Sequence, residues 1–327
     1  MSILKILGII IEYNFTTWGK SMEIGVIINQ MLVLFVIMII GYIANKKNIL
    51  DEDTNKKISS LLLNITSPAL ILSSVVNQSE KGDPNLVLSV VGLSIILYAI
   101  LPFIGIFLAK ILKVPKEDKS LYQFMTIFAN IGFMGFPVIE SIFGSEAVFF
   151  AAIINLIFNI FCYSYGVFLI SENNKLSFDI KTLINPGIIV SIISIVIYII
   201  NIEVSSIIKE TTSLVGGITT PLAMMLIGSS LAQIPIKEVF LERRLYPYTF
   251  IKQIIIPIIF FLVLRNFVTN ELILGIMIII SGMPVGTITI MFCNEYEGNI
   301  KLASKTIFIT TLCSIVTVPV LVYLLFI

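Results

Sequence analysis

Two short runs in this sequence combine proline, glycine and polar residues in a way that can free backbone groups for ligand binding. One is Asn130-Ile131-Gly132-Phe133-Met134-Gly135-Phe136-Pro137, the other Ser281-Gly282-Met283-Pro284-Val285-Gly286. Proline removes a backbone donor and clashes with the preceding turn, and a glycine costs about 1 kcal/mol in a helix interior. Both runs lie in mid-course of long apolar stretches, so each is expected to break a helix at bilayer depth. There, freed N–H and C=O groups are tolerated only where they face protein or a hydrated cavity. If the two stretches run in opposite directions, the breaks can cross antiparallel. Each second half-helix then begins near the midplane, with its positive end and free N–H groups aimed at one spot. Such a spot favours an anion, a carboxylate being the obvious small one, and the Asn130 amide can donate to it. The candidate binding residues are therefore Asn130, Gly132, Gly135, Pro137, Gly282, Pro284 and Gly286. The competing explanation is that proline and glycine merely kink membrane helices, where both are common; it suits Pro68, Pro102, Pro221, Pro257 and Pro319 taken singly.

Other polar residues in apolar surroundings are candidates for support or ion coupling. Asn64 and Ser67 belong to the run Asn64-Ile65-Thr66-Ser67-Pro68, and Thr220 to Gly217-Ile218-Thr219-Thr220-Pro221. Asn155 and Asn159 are one turn apart on one helix face, and either line the site or hydrogen-bond between helices. Glu140, three residues past Pro137, either couples a proton or cation or reaches water at the outer end of its helix. Lys252 either snorkels back to the interface along its stem, pairs structurally, or attracts the anion.

The elements that must carry these residues are membrane helices. The 327 residues are 57% hydrophobic and 13% charged, with a mean hydropathy of +1.03; soluble domains carry about 25% charge. Apolar runs near 24–44, 55–77, 86–109, 120–142, 146–170, 185–202, 211–233, 246–268, 271–293 and 302–326 are each of a length to cross about 30 Å of hydrocarbon. Of the 21 basic residues, fifteen fall in the odd-numbered connections and five on the other side, with Lys252 inside a span. Basic residues favour the cytoplasm, so both termini are expected outside. Residues 1–23 read as an interfacial helix with Tyr13 and Trp18 at the headgroups; Met22 as the true start is the alternative.

The halves share a pattern. The Pro68 and Pro221 runs lie five spans apart, as do the Pro137 and Pro284 runs. Five is odd, so the halves have opposite topology, an arrangement known from secondary transporters. The expected fold is an all-α integral membrane protein of ten transmembrane helices, as two inverted five-helix repeats with crossed, broken helices four and nine. Residues 24–170 form the first repeat, 171–184 a short cytoplasmic linker and 185–327 the second.

Composition also excludes classes. A net charge of +1 argues against nucleic acid as a partner. The absence of histidine, the lack of any CxxC pair among Cys162, Cys293 and Cys313, and a single acid deep in a span leave no metal site, no cofactor and no enzyme. No phosphate-binding GxxxxGK[ST] run is present, so an ATP-driven pump would need a partner chain; energy is expected instead from an H⁺ or Na⁺ gradient, or from the substrate's own gradient and the membrane potential. A small organic anion carried across the cytoplasmic membrane is the leading expectation. A channel or facilitator, or a membrane sensor without transport, is the alternative.

The run from Asn130 through Met134-Gly135 to Pro137 resembles the crossover motif of the auxin efflux carrier family. So does the stretch from Met283-Pro284 to Met291-Phe292-Cys293-Asn294-Glu295-Tyr296, and Ser67-Pro68-Ala69-Leu70-Ile71 and Asn185-Pro186 also fit. The resemblance covers about residues 22–327. It implies a scaffold of spans one, two, six and seven, a moving transport part in an elevator-like cycle, a homodimer, and a carboxylate-binding role for Asn130. The long loop of the plant carriers between spans five and six is absent here, so regulation through it does not transfer.

Overall fold

The computed structural model describes residues 24–77, 83–170, 186–234, 239–296 and 298–326. The expected N-terminal interfacial helix and the 171–184 linker lie outside the described residues. Within them the chain is helical, with no strand and one isolated antiparallel bridge. In order the helices are α1 (Ile24–Lys46), α2 (Glu52–Val76), α3 (Pro84–Ile111), α4 (Lys119–Ile127), α5 (Ile131–Phe143) and α6 (Ala147–Ile170). They continue as α7 (Pro186–Ile200), α8 (Ser206–Ala232), α9 (Leu245–Leu264), α10 (Glu271–Gly282), α11 (Ile288–Glu295) and α12 (Ile300–Phe326). Among the described residues six of these, α2, α3, α6, α8, α9 and α12, are long and apolar enough to cross a membrane alone; α5, α7, α10 and residues 32–46 of α1 are shorter apolar helices. Their outward faces carry large apolar side chains such as Leu88, Phe103, Phe107, Ile259 and Val316. Patches of that extent are matched to lipid.

The starts of several helices are written in polar caps. Asp51 accepts the Thr54 N–H at 2.8 Å ahead of α2, Asp83 precedes Pro84 at the start of α3, and Asn270 accepts the Ile273 N–H at 3.0 Å ahead of α10. Inside the helices a second rule recurs. Of four wide π-type turns among the described residues, those at Leu62–Thr66, Ile131–Gly135 and Ile251–Ile255 each end two residues before a proline, Pro68, Pro137 or Pro257, and only Cys162–Gly166 does not. A proline ring collides with the carbonyl four residues earlier, here Asn64, Phe133 and Gln253, the third residue of each wide turn. The extra residue lets that carbonyl swing aside, so α2 and α9 continue past their prolines.

Packing is tightest between α1 and α8. A Cβ added to Gly228 would land on the Met38 carbonyl oxygen, and one added to Gly41 would land on Met225 backbone. Only glycine permits backbones this close. α2 packs on both α7 and α8, α3 on α4 and α6, α9 on α10, and α12 on α10 and α11.

Candidate functional site

α4 ends at Ile127, and the backbone leaves helical geometry at Phe128 (φ −101°, ψ 89°) and Asn130 (φ −81°, ψ 73°). α10 ends at Gly282, after which Met283 is extended (φ −62°, ψ 149°), as expected of a residue before proline. The two breaks lie against each other antiparallel. The Asn130 N–H donates to the Pro284 carbonyl at 2.8 Å and the Gly286 N–H to the Phe128 carbonyl at 3.0 Å, either side of the Ala129–Val285 bridge. Several of the groups freed by the breaks therefore satisfy each other rather than a ligand. Gly286 is required by this approach, since a Cβ there would sit 3.1 Å from the carbonyl oxygens of Phe128 and Ala129.

Asn130 caps α5. Its Oδ1 accepts the Phe133 N–H at 3.3 Å, which leaves Nδ2 to donate elsewhere. The residue is 4% exposed and Nδ2 has no hydrogen-bond partner among the described residues. An unmet buried donor costs about 1–3 kcal/mol. Asn130 borders a cavity of about 260 Å³ whose polar lining also includes Asn64, Ser67, Asn155, Asn159 and Thr287. The apolar walls come from Leu63, Phe133, Phe136, Phe158, Tyr163 and Met291. Among the described residues no charged side chain lines it. One side rests on an aromatic cluster: Phe128 meets Phe158 at 5.5 Å between centroids, and Phe124 meets Phe128 at 4.6 Å and Phe292 at 5.0 Å.

The structure divides the candidate residues. Asn130, Gly132 and Gly286 line the cavity, and a Cβ added to Gly132 meets nothing within 4 Å. Gly135, Pro137, Gly282 and Pro284 do not line it. Gly135 packs over Asn130 and Ile131, and Gly282 over Leu321 and Pro257. The Pro284 carbonyl holds the Asn130 backbone. Pro137 is a correction. It was expected to break its helix, yet the break lies upstream at Phe128–Asn130, and the wide turn Ile131–Gly135 absorbs the proline instead.

Asn155 and Asn159 line the cavity, and Asn159 Nδ2 donates to the Asn155 carbonyl of its own helix at 2.7 Å rather than across helices. Asn64 and Ser67 are also on the lining. Thr220 is not. Its hydroxyl donates to Glu140 Oε2 at 2.7 Å, which joins α8 to α5. Lys252 does not snorkel: it is 1% exposed, and its Nζ donates to the Met283 carbonyl at 3.0 Å. Instead of snorkelling, the ammonium takes a carbonyl at the second break. Of the lining residues the sequence reading missed, Tyr163 had a signal: it follows Asn155 and Asn159 at the next helical turn on one face.

Helices broken and crossed at mid-course around a polar-tipped cavity, within a shell of lipid-matched helices, make up a membrane transporter. The chain belongs to the auxin efflux carrier family: the family model for a membrane transport protein matches residues 26–322. Its relatives include the uncharacterized transporter MJ1031 of Methanocaldococcus jannaschii, 25% identical over 307 residues, 88% of this chain and 95% of that one. The uncharacterized transporter YfdV of Escherichia coli K12 is 22% identical over 310 residues, 90% of this chain and 96% of its own.

Proposed function

We propose that this membrane transporter is a secondary carrier of a small organic anion, a carboxylate, bound where the two broken helices cross. The observation that carries the reading is the buried Asn130 Nδ2, a donor without a partner among the described residues, on a residue that starts α5 and lines the cavity. The other lining groups are amides, hydroxyls and apolar side chains. They suit a molecule with one anionic end and an apolar body, in a space smaller than the roughly 300–1,000 Å³ of drug-sized sites.

The ten-helix inverted repeat is part of the proposal. Helix pairings that recur five spans apart support it: α1 packs on α8 while α7 packs on α2, and α3 packs on α4 while α9 packs on α10. In this scheme α4 with α5, and α10 with α11, are the broken fourth and ninth helices. With both termini outside, the cavity lined by Asn64, Asn159, Tyr163 and Met291 opens toward the cytoplasm, an inward-facing carrier. The cycle is elevator-like, in a homodimer in the cytoplasmic membrane, with α5 and α6 in the moving part and α1, α2, α7 and α8 in the scaffold. The test is a thermal-shift screen of purified protein against small mono- and dicarboxylates, since a ligand that binds only the folded state raises the melting temperature. An acid that stabilises the wild type and not Asn130→Ala supports the reading; a panel in which none does removes it.

A further inference from the structure

Lys252 bears a buried charge-carrying group that the anion site above does not use. It lies in the wide turn of α9, and its Nζ donates to the Met283 carbonyl at 3.0 Å. Among the described residues it has no acidic partner. Met283 is the extended residue that follows the last residue of α10, Gly282, so its carbonyl lies just past the negative end of that helix dipole. Carbonyls at the C-terminal ends of broken helices are the groups that coordinate Na⁺ in carriers that use it. Here the ammonium has taken that acceptor. Neighbouring acceptors are engaged as well: the Thr310 hydroxyl accepts the Val285 N–H at 3.2 Å, and the Thr310 carbonyl accepts Gln253 Nε2 at 2.8 Å. The next carbonyl along the chain, that of Pro284, holds the Asn130 N–H. The ammonium thus stands one peptide and two hydrogen bonds from the backbone N–H of Asn130, the residue proposed to bind the anion.

We propose that Lys252 is a tethered cation built into the second break, filling the position a dissociable Na⁺ would take, so that the anion moves without a sodium partner. The inference rests on the anion-carrier reading of the crossing. One peptide and two hydrogen bonds span about 10 Å. At an effective dielectric of about 20, a unit charge at that distance changes anion affinity on the order of tenfold.

The experiment melts purified full-length protein in NaCl, KCl and choline chloride at equal ionic strength, as wild type, Lys252→Ala and Lys252→Arg, each with and without propylammonium. The wild type is expected to melt at one temperature in all three salts. Lys252→Ala should melt lower and be raised selectively by Na⁺ or by propylammonium entering the vacated space, while Lys252→Arg stays near wild type. A wild type stabilised by Na⁺ over K⁺ overturns the proposal. So does a Lys252→Ala variant that melts like wild type and ignores both cations. Should Lys252→Ala fail to fold, Lys252→Arg is compared with Lys252→Met: the proposal expects the charged variant to keep the wild-type melt and the neutral one to lose it, and the reverse overturns it. None of these readouts needs a substrate, so failure of the organic-acid screen would be seen separately from failure here.

Discussion

Asn130 caps α5 and is proposed to bind the anion, and a pair of substitutions distinguishes the two roles. Its Oδ1 caps α5 through the Phe133 N–H at 3.3 Å, and its Nδ2 is buried without a partner among the described residues, on a residue that lines the cavity. Asn130→Ala removes both. Loss of an N-cap costs about 0.5–2 kcal/mol, and the length of this bond places the cost at the lower end. Loss of one hydrogen bond to a charged ligand costs about 1.5–3 kcal/mol, or roughly 10- to 150-fold in affinity. Asn130→Asp keeps a good capping acceptor at the same place but replaces the donor with a negative charge. It should fold and melt near wild type while binding no carboxylate measurably. The assay is thermal shift or calorimetric titration with an acid from the wild-type screen, alongside size-exclusion of the detergent-solubilised variants. An Asn130→Asp protein that binds the acid within about threefold of wild type would refute the donor role. An unfolded one would show instead that this buried position rejects a carboxylate, and Asn130→Ala would then carry the test.

Three further substitutions test the surrounding geometry. Gly228→Ala drives a methyl group onto the Met38 carbonyl oxygen; overpacking against backbone should cost about 3 kcal/mol or more and lower the melting temperature by several degrees, and an unchanged melt would contradict the close α1–α8 approach. Gly132→Ala adds a methyl group in open space, so folding should be unaffected while the larger of two homologous acids loses about tenfold in affinity, read by competition in the thermal-shift assay. Pro137→Ala should leave the break in place and retain most uptake, because the interruption lies at Phe128–Asn130. Pro284→Ala, which removes the constraint holding Met283 extended, should reduce uptake about tenfold or more; equal uptake by the two variants would argue against this division.

Apolar run length and the spacing of the proline-bearing runs made the helices and the two interruptions readable, because lipid forces backbone pairing within each segment. Local rules failed where a tertiary contact decided. Pro137 looked like the breaker, yet its clash is relieved within the helix by one extra residue, and Asn130, a capping type, marks the true restart. Lys252 looked free to reach the interface, because nothing in its own span reveals that a carbonyl of another break lies beside it. Glu140 and Thr220 were each noticed, but only the fold brings them together across 80 positions. On the lining, Asn64, Ser67, Asn155 and Asn159 were legible as polar residues in apolar runs. Phe133, Phe158 and Met291 were not, since an apolar side chain in a membrane helix is the default.

The glycine seam between α1 and α8 has a mechanical meaning. Two surfaces whose backbones touch at Gly41 and Gly228 have no clearance, and a bearing without clearance cannot slide. In the proposed elevator-like cycle, displacement of the cavity would therefore run along a different joint, one closed by side chains. The hydrogen bond from Thr220 to Glu140 sits on such a joint, between the helix of the seam and the helix that begins at Asn130.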